Sequence, residues 1–139
     1  MDDVNAHLAF LLNRVIRRMR DESPGPDAFP ADLTVAKVRL LDVMPREGCR
    51  IVDLSGELRV SKQGLGQLVK QLVDSGYLEE APDPNDRRAR ILKRTRRGNQ
   101  IVKQVERVTA DLEARWRREI GARDYDRFRE VLVRLARPT

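Results

Sequence analysis

The stretch from Ser61 to Thr95 constrains this chain most. Ser61 is a favoured helix N-cap, and Gly76 stands where a helix running to Ser75 wants a left-handed residue after its end. Before Thr95 there is room for only two short strands, Tyr77 to Ala81 and Ala89 to Lys93. The turn formers Pro82-Asp83-Pro84-Asn85-Asp86-Arg87-Arg88 lie between them. So short a connection admits an antiparallel hairpin and no crossover. Upstream, Thr34 can cap a helix through Val35, Val38, Leu41 and Met44, which stops at Pro45 and the turn Arg46-Glu47-Gly48. Residues 51–60 fit a short helix with Val52, Leu54 and Leu58 inward. Helix, short helix, helix and hairpin in this order make a winged helix-turn-helix lobe, expected over about residues 34–97.

Flanking segments are helical. Residues 4–20 set Val4, Leu8, Leu11, Leu12, Val15 and Met19 at three- and four-residue steps, and Asp21 to Pro30 holds three prolines and a glycine, a loop. Ile101, Val105, Val108, Leu112 and Trp116 stripe a long helix from about Thr95 to Glu119. Tyr125, Phe128, Val131, Leu132 and Leu135 stripe a last one. The fold class is therefore mainly α with a small β-hairpin wing.

The helix after Ser61 has two chemically opposed faces. At about 100° per residue, with Lys62 at zero, Leu65, Leu68, Val69 and Leu72 fall near 240–340°. Lys62, Gln63, Gly66, Gln67 and Lys70 fall near 0–140°, an arc with no acid from Lys62 through Lys70. Gln can pair with adenine through two bonds, Lys can donate to guanine or phosphate, and Ser61 with the first backbone amides suits a phosphate. Gly66 would let a duplex approach closely. In the hairpin, Arg87, Arg88 and Arg90 offer three guanidiniums suited to a narrow minor groove, with Asp86 expected to brace one of them by an ion pair. Charge agrees with this placement: residues 61–97 carry nine basic and five acidic side chains, whereas residues 1–60 carry nine and ten. The plainer explanation, a solvated surface helix beside a salt-bridged turn, accounts for neither the lack of acids from Lys62 through Lys70 nor the basic hairpin.

Several of these residues are found together elsewhere. Asp53-Leu54, the run Val60-Ser61-Lys62-Gln63-Gly64-Leu65-Gly66-Gln67-Leu68-Val69, then Asp74-Ser75-Gly76-Tyr77-Leu78, the wing Pro82-Asp83-Pro84-Asn85-Asp86-Arg87-Arg88-Ala89-Arg90, and Thr95-Arg96-Arg97-Gly98 resemble the MarR family of bacterial transcriptional regulators. The resemblance implies a winged-helix homodimer on a pseudo-palindromic operator in double-stranded DNA. Such proteins are usually repressors released by a small-molecule effector or by oxidation. It also places an effector cleft near His7, Phe10, Met44 and Trp116, residues that serve a core equally well. Two positions depart from the family pattern: Glu79-Glu80-Ala81 replace an expected arginine, and Arg94 replaces a leucine. Arg94 then makes a backbone contact or lies exposed.

The apolar stripes of the first and last helices exceed what one lobe needs, so about 1–22 and 98–139 are expected to pair in a twofold dimer. A dimer would set two reading helices about one DNA turn apart. One cysteine and one histidine cannot build a disulfide, a Cys/His zinc site or a metal triad, and a Ser-His-Asp or Cys-His hydrolase would have to rely on His7, in the first turn of a helix, as its only imidazole, so no enzyme and no cofactor or metal is expected. Cys49, flanked by Arg46 and Arg50, is a candidate for a lowered thiol pKa. No apolar run reaches the roughly 20 residues of a membrane span, and the acidic start Met1-Asp2-Asp3 does not suit a secretory leader. A cytoplasmic protein, nucleoid-associated when bound to DNA, is expected. The competing reading is a winged-helix protein-interaction module, which would call for an apolar or acidic face on the reading helix.

Overall fold

The computed structural model describes residues 7–138, so Val4 of the expected first helix lies outside the described residues. In chain order the elements are α1 (Leu8–Glu22), a 3-10 turn (Pro26–Ala28), α2 (Val35–Val43), α3 (Ile51–Leu54), α4 (Lys62–Asp74), β1 (Leu78–Asp83), β2 (Asp86–Arg94), α5 (Arg96–Ile120) and α6 (Ala122–Leu135). The described residues fall into two compact units, one of residues 26–106 and one of residues 7–25 with 107–138. No helix among the described residues is long and apolar enough to cross a membrane.

The first unit is the winged-helix lobe. Leu40 and Leu41 of α2, Leu54 of α3, Leu65, Val69 and Leu72 of α4, Tyr77, Leu78 and Leu92 of the hairpin, and Ile101 and Val102 of α5 close its core. Thr34 caps α2 by accepting from the Lys37 amide at 3.3 Å. Gly48, at φ +94°, turns the chain so that Cys49 and Leu92 exchange backbone bonds of 3.0 and 2.8 Å. The C-terminus of α4 is a Schellman ending: Gly76 lies at φ +79°, its amide donates to Val73 O and the Tyr77 amide to Leu72 O.

Three local expectations need correction. The helix expected over 51–60 stops at Leu54, because the Ser55 hydroxyl and amide both turn back onto Val52 O and the Glu57 and Leu58 amides onto Leu54 O. Val52, about 200° around the helix from Leu54, is 66% exposed, while Leu54 and Leu58 are buried as expected. The strands are longer than expected, since Pro82 and Asp83 join the ladder opposite Arg90 and Asp86.

In the second unit, α1 and the C-terminal part of α5 are tied by side chains. Arg18 donates to both oxygens of Glu119, and Glu22 accepts from the Trp116 indole at 2.7 Å. Arg117 holds Asp126 of α6 at 3.0 and 3.1 Å. Leu112 and Tyr125 are buried, but Phe10, Leu12, Ile16 and Met19 of α1 and Phe128, Val131, Leu132 and Leu135 of α6 are exposed.

Candidate nucleic-acid interface

Helix α4 presents its polar arc outward. Ser61, Lys62, Gln63, Gln67 and Lys70 are exposed and Gly66 half-exposed, while Leu65, Val69 and Leu72 anchor the opposite side in the core. The Ser61 hydroxyl accepts from the Gly64 amide at 3.0 Å, ordering the first turn. Among the described residues no hydrogen bond or ion pair engages the side chains of Lys62, Gln63, Gln67 or Lys70. A β-carbon placed on Gly66 would meet nothing within 4 Å, so the lobe's own packing does not require glycine there.

The far end of α4 is held rigidly. Arg97 donates to Ser75 O at 2.6 Å and lies 4.3 Å over the Tyr77 ring, whose hydroxyl donates to Asp32 at 3.0 Å. Arg94 is neither exposed nor loose. It donates to Leu41 O of α2, to Met44 O just past the end of α2, and to Asn99 of α5. Three acceptors converge on its guanidinium.

The wing is irregular where it is basic. Its register runs from Leu78 opposite Arg94 to Pro82 opposite Arg90, then shifts so that Asp83 faces Asp86. Arg87, Arg88 and Ala89 therefore lie in a bulge of β2, a device that re-aims side chains out of a ladder. Arg87, Arg88 and Arg90 are exposed, and none is in an ion pair among the described residues. Asp86 does not pair with them. One of its oxygens accepts the Arg88 amide at 3.0 Å and the other lies 3.7 Å from Arg50. An acid two residues before an amide closes an Asx turn on its own backbone more readily than it reaches its neighbours' side chains. Glu79 and Glu80 are exposed on β1, Glu79 opposite Lys93.

The residue that sequence reasoning missed is Arg50. It donates twice to Asp83, at 3.0 and 2.7 Å, and Asp83 also accepts the Asn85 amide at 2.9 Å. Those bonds, the Asn85 amide first, hold the Asp83 carboxyl below its ordinary range. The available signal was an arginine at an N-cap position that favours Ser, Thr, Asp or Asn. Cys49 also needs correction: burial pushes its thiol up, Asp53 and Glu47 add to the shift, and only Arg94 opposes it. Arg46 and Arg50 do not activate it.

The four effector candidates are dispersed by role. Met44 is in the lobe's core. In the other unit His7 precedes α1, Phe10 lies beneath Arg14 at 5.9 Å, and Trp116 is bound to Glu22 with Arg18 over its ring at 5.1 Å.

Residues 31–89 match the family model described as MarR family. The multiple antibiotic resistance protein MarR of Escherichia coli is 29% identical over 94 residues, 67% of this chain and 65% of that protein. An HTH-type transcriptional regulator, BilQ, of Clostridioides difficile is 24% identical over 86 residues, 62% of this chain and 58% of that protein. The chain thus spans less than two thirds of either curated relative. A crystal structure of MarR superposes with a TM-score of 0.74 at 29% identity, covering 98% of this chain and 92% of that one. A cysteine-to-serine variant of E. coli MarR complexed with operator DNA gives 0.66 at 23% identity, with 94% of each chain covered. CouR from Rhodococcus jostii, bound to p-coumaroyl-CoA, gives 0.74 at 21% identity, covering 100% of this chain and 98% of that one.

Proposed function

We propose that this chain is a winged-helix protein of the MarR family and a sequence-specific DNA-binding regulator of transcription, a reading supported by the family-model match and the similar proteins. It acts as a homodimer on a pseudo-palindromic duplex, and as a repressor released by a small-molecule effector. The observation that carries this reading is the polar arc of α4 left without internal partners beside a wing with three unpaired guanidiniums. In this mechanism α4 enters the major groove. Gln63 and Gln67 read adenine edges, Lys62 and Lys70 contact guanine or phosphate, and Ser61 with the first amides takes a phosphate. Arg87, Arg88 and Arg90 enter the adjoining minor groove, whose potential draws arginine. The exposed apolar stripes of α1 and α6 meet in the dimer, setting the two reading helices one DNA turn apart. The operator complex of one relative and the acyl-CoA complex of another support the DNA and effector parts of the reading. A protein-interaction module is not favoured, because the arc is neither apolar nor acidic.

Selection of random duplex DNA by the purified protein tests this. One twofold site with half-sites about ten base pairs apart is expected, with binding that falls steeply as salt rises. Sequencing that recovers unenriched DNA would overturn the reading.

Gly66→Ala sharpens the test. Nothing in the lobe meets the added methyl group, so stability should rise by about 1 kcal/mol in urea unfolding. DNA affinity should fall by roughly tenfold, as the methyl group intrudes where the helix meets base edges. Affinity equal to wild type would mean that no close approach occurs at this turn.

A further inference from the structure

We infer that Arg50 sets the pose of the wing, acting on DNA binding through Asp83 and Asp86 without itself touching DNA. The inference rests on the DNA-binding reading above. Arg50 does not serve as a helix cap in the ordinary way. The Asp53 carboxylate accepts the Arg50 amide at 3.0 Å, which leaves the guanidinium to reach the wing, 33 positions along the chain. There its Nε and Nη2 both donate to Oδ2 of Asp83, and Nη2 lies 3.7 Å from Oδ2 of Asp86.

Both acids face two ways. Oδ1 of Asp83 accepts the Asn85 amide, and Oδ1 of Asp86 accepts the Arg88 amide. Each carboxylate thus joins the wing's backbone to one guanidinium of the helical part of the lobe. Asp83, 9% exposed, is the buried charged side chain among the described residues. The clamp sits where the register shifts and Arg87 and Arg88 leave the ladder. A two-stranded ribbon is weakly determined on its own, so a two-nitrogen grip at its irregular end decides where those guanidiniums project.

Bare electrostatics predicts the opposite sign, which makes the inference testable. A carboxylate near DNA repels phosphate, so on charge alone Asp83→Asn should tighten binding. The substitution leaves one acceptor for the Asn85 amide and turns an NH2 toward Arg50, breaking the clamp. Affinity of the full chain for a duplex recovered by the selection should be measured for wild type, Asp83→Asn, Arg50→Met and the double variant. Each single variant should bind roughly tenfold more weakly, and the double variant no more weakly than either, because one clamp is lost in all three. Hydroxyl-radical protection in the minor groove should disappear while major-groove protection from α4 persists. Melting temperatures should stay within about 5 °C of wild type.

Tighter or unchanged binding by Asp83→Asn would overturn the inference alone. So would additive losses with the Arg50→Met salt slope lower by about one, the mark of a direct phosphate contact. If Arg50→Met fails to fold, Arg50→Lys keeps the charge and loses the two-nitrogen grip; it should weaken binding, and wild-type affinity would overturn the proposal. A wild-type chain that binds no duplex at all would overturn both the DNA-binding reading and this inference.

Discussion

Gly98→Ala is expected to unfold the winged-helix lobe or bring it close to unfolding. A β-carbon on Gly98 would lie 2.2 Å from Tyr77 O and 3.3 Å from both Tyr77 C and Arg94 Cβ. The first of these is backbone, which cannot swing aside. To relieve the overlap, the first turn of α5 must lift away from the end of α4. That movement breaks a compact set of bonds. The Thr95 amide donates to Tyr77 O at 3.1 Å, its hydroxyl to Gly76 O at 2.6 Å, and the Gly98 amide to the Thr95 hydroxyl at 3.2 Å. It also withdraws Ile101 and Val102 from the core. Overpacking against backbone, loss of these bonds and withdrawal of Ile101 and Val102 together cost about 3–5 kcal/mol, a large share of the roughly 5–15 kcal/mol that a domain has. Urea unfolding followed by far-ultraviolet circular dichroism should show the midpoint collapse. An unfolding free energy within about 0.5 kcal/mol of wild type would mean that the α5 start is not packed as described.

The second large effect concerns function without stability. Arg87 and Arg88 are exposed, bulged from the ladder and free of ion pairs among the described residues, so replacing both with alanine should leave the melting curve unchanged. DNA affinity should fall by about a hundredfold, at roughly tenfold per guanidinium, for specific and random duplexes alike. The slope of log affinity against log salt should shrink by about two. Stable protein with affinity within twofold of wild type would remove the wing from the interface.

Much of the lobe is legible in the sequence because its boundaries are made by local chemistry. Thr34 and Ser61 cap, Gly76 ends α4, and Thr95 with Gly98 starts α5, each acting within a few residues of itself. The two faces of α4 are legible for the same reason, since a 3.6-residue period sorts Lys62, Gln63, Gln67 and Lys70 from Leu65, Val69 and Leu72. What is not legible depends on partners distant along the chain. Arg50 finds Asp83 and Arg94 finds Leu41 and Met44 only after folding, so a local reading treats both arginines as surface charge. Cys49 misleads in the same manner: its sequence neighbours are arginines, but its spatial setting is the core and two acids. The short α3 is an intermediate case. Leu54 and Leu58 keep the four-residue helical spacing and Val52 does not, and Ser55 captures the Val52 carbonyl and ends the helix early.

Glu79 and Glu80 acquire a meaning from the hairpin's other side. Strand β1 pairs only with β2 among the described residues, so its outer edge carries amides and carbonyls with no ladder partner. Such an edge is a template on which another chain's strand can dock and seed aggregation. Two exposed carboxylates in succession along that strand make strand addition costly, because an incoming acidic or apolar segment would meet repulsion or would have to strip water from a charge. An arginine in place of either glutamate would add DNA attraction but leave the open sheet edge less protected, so the two carboxylates favour solubility at high concentration over extra phosphate contact.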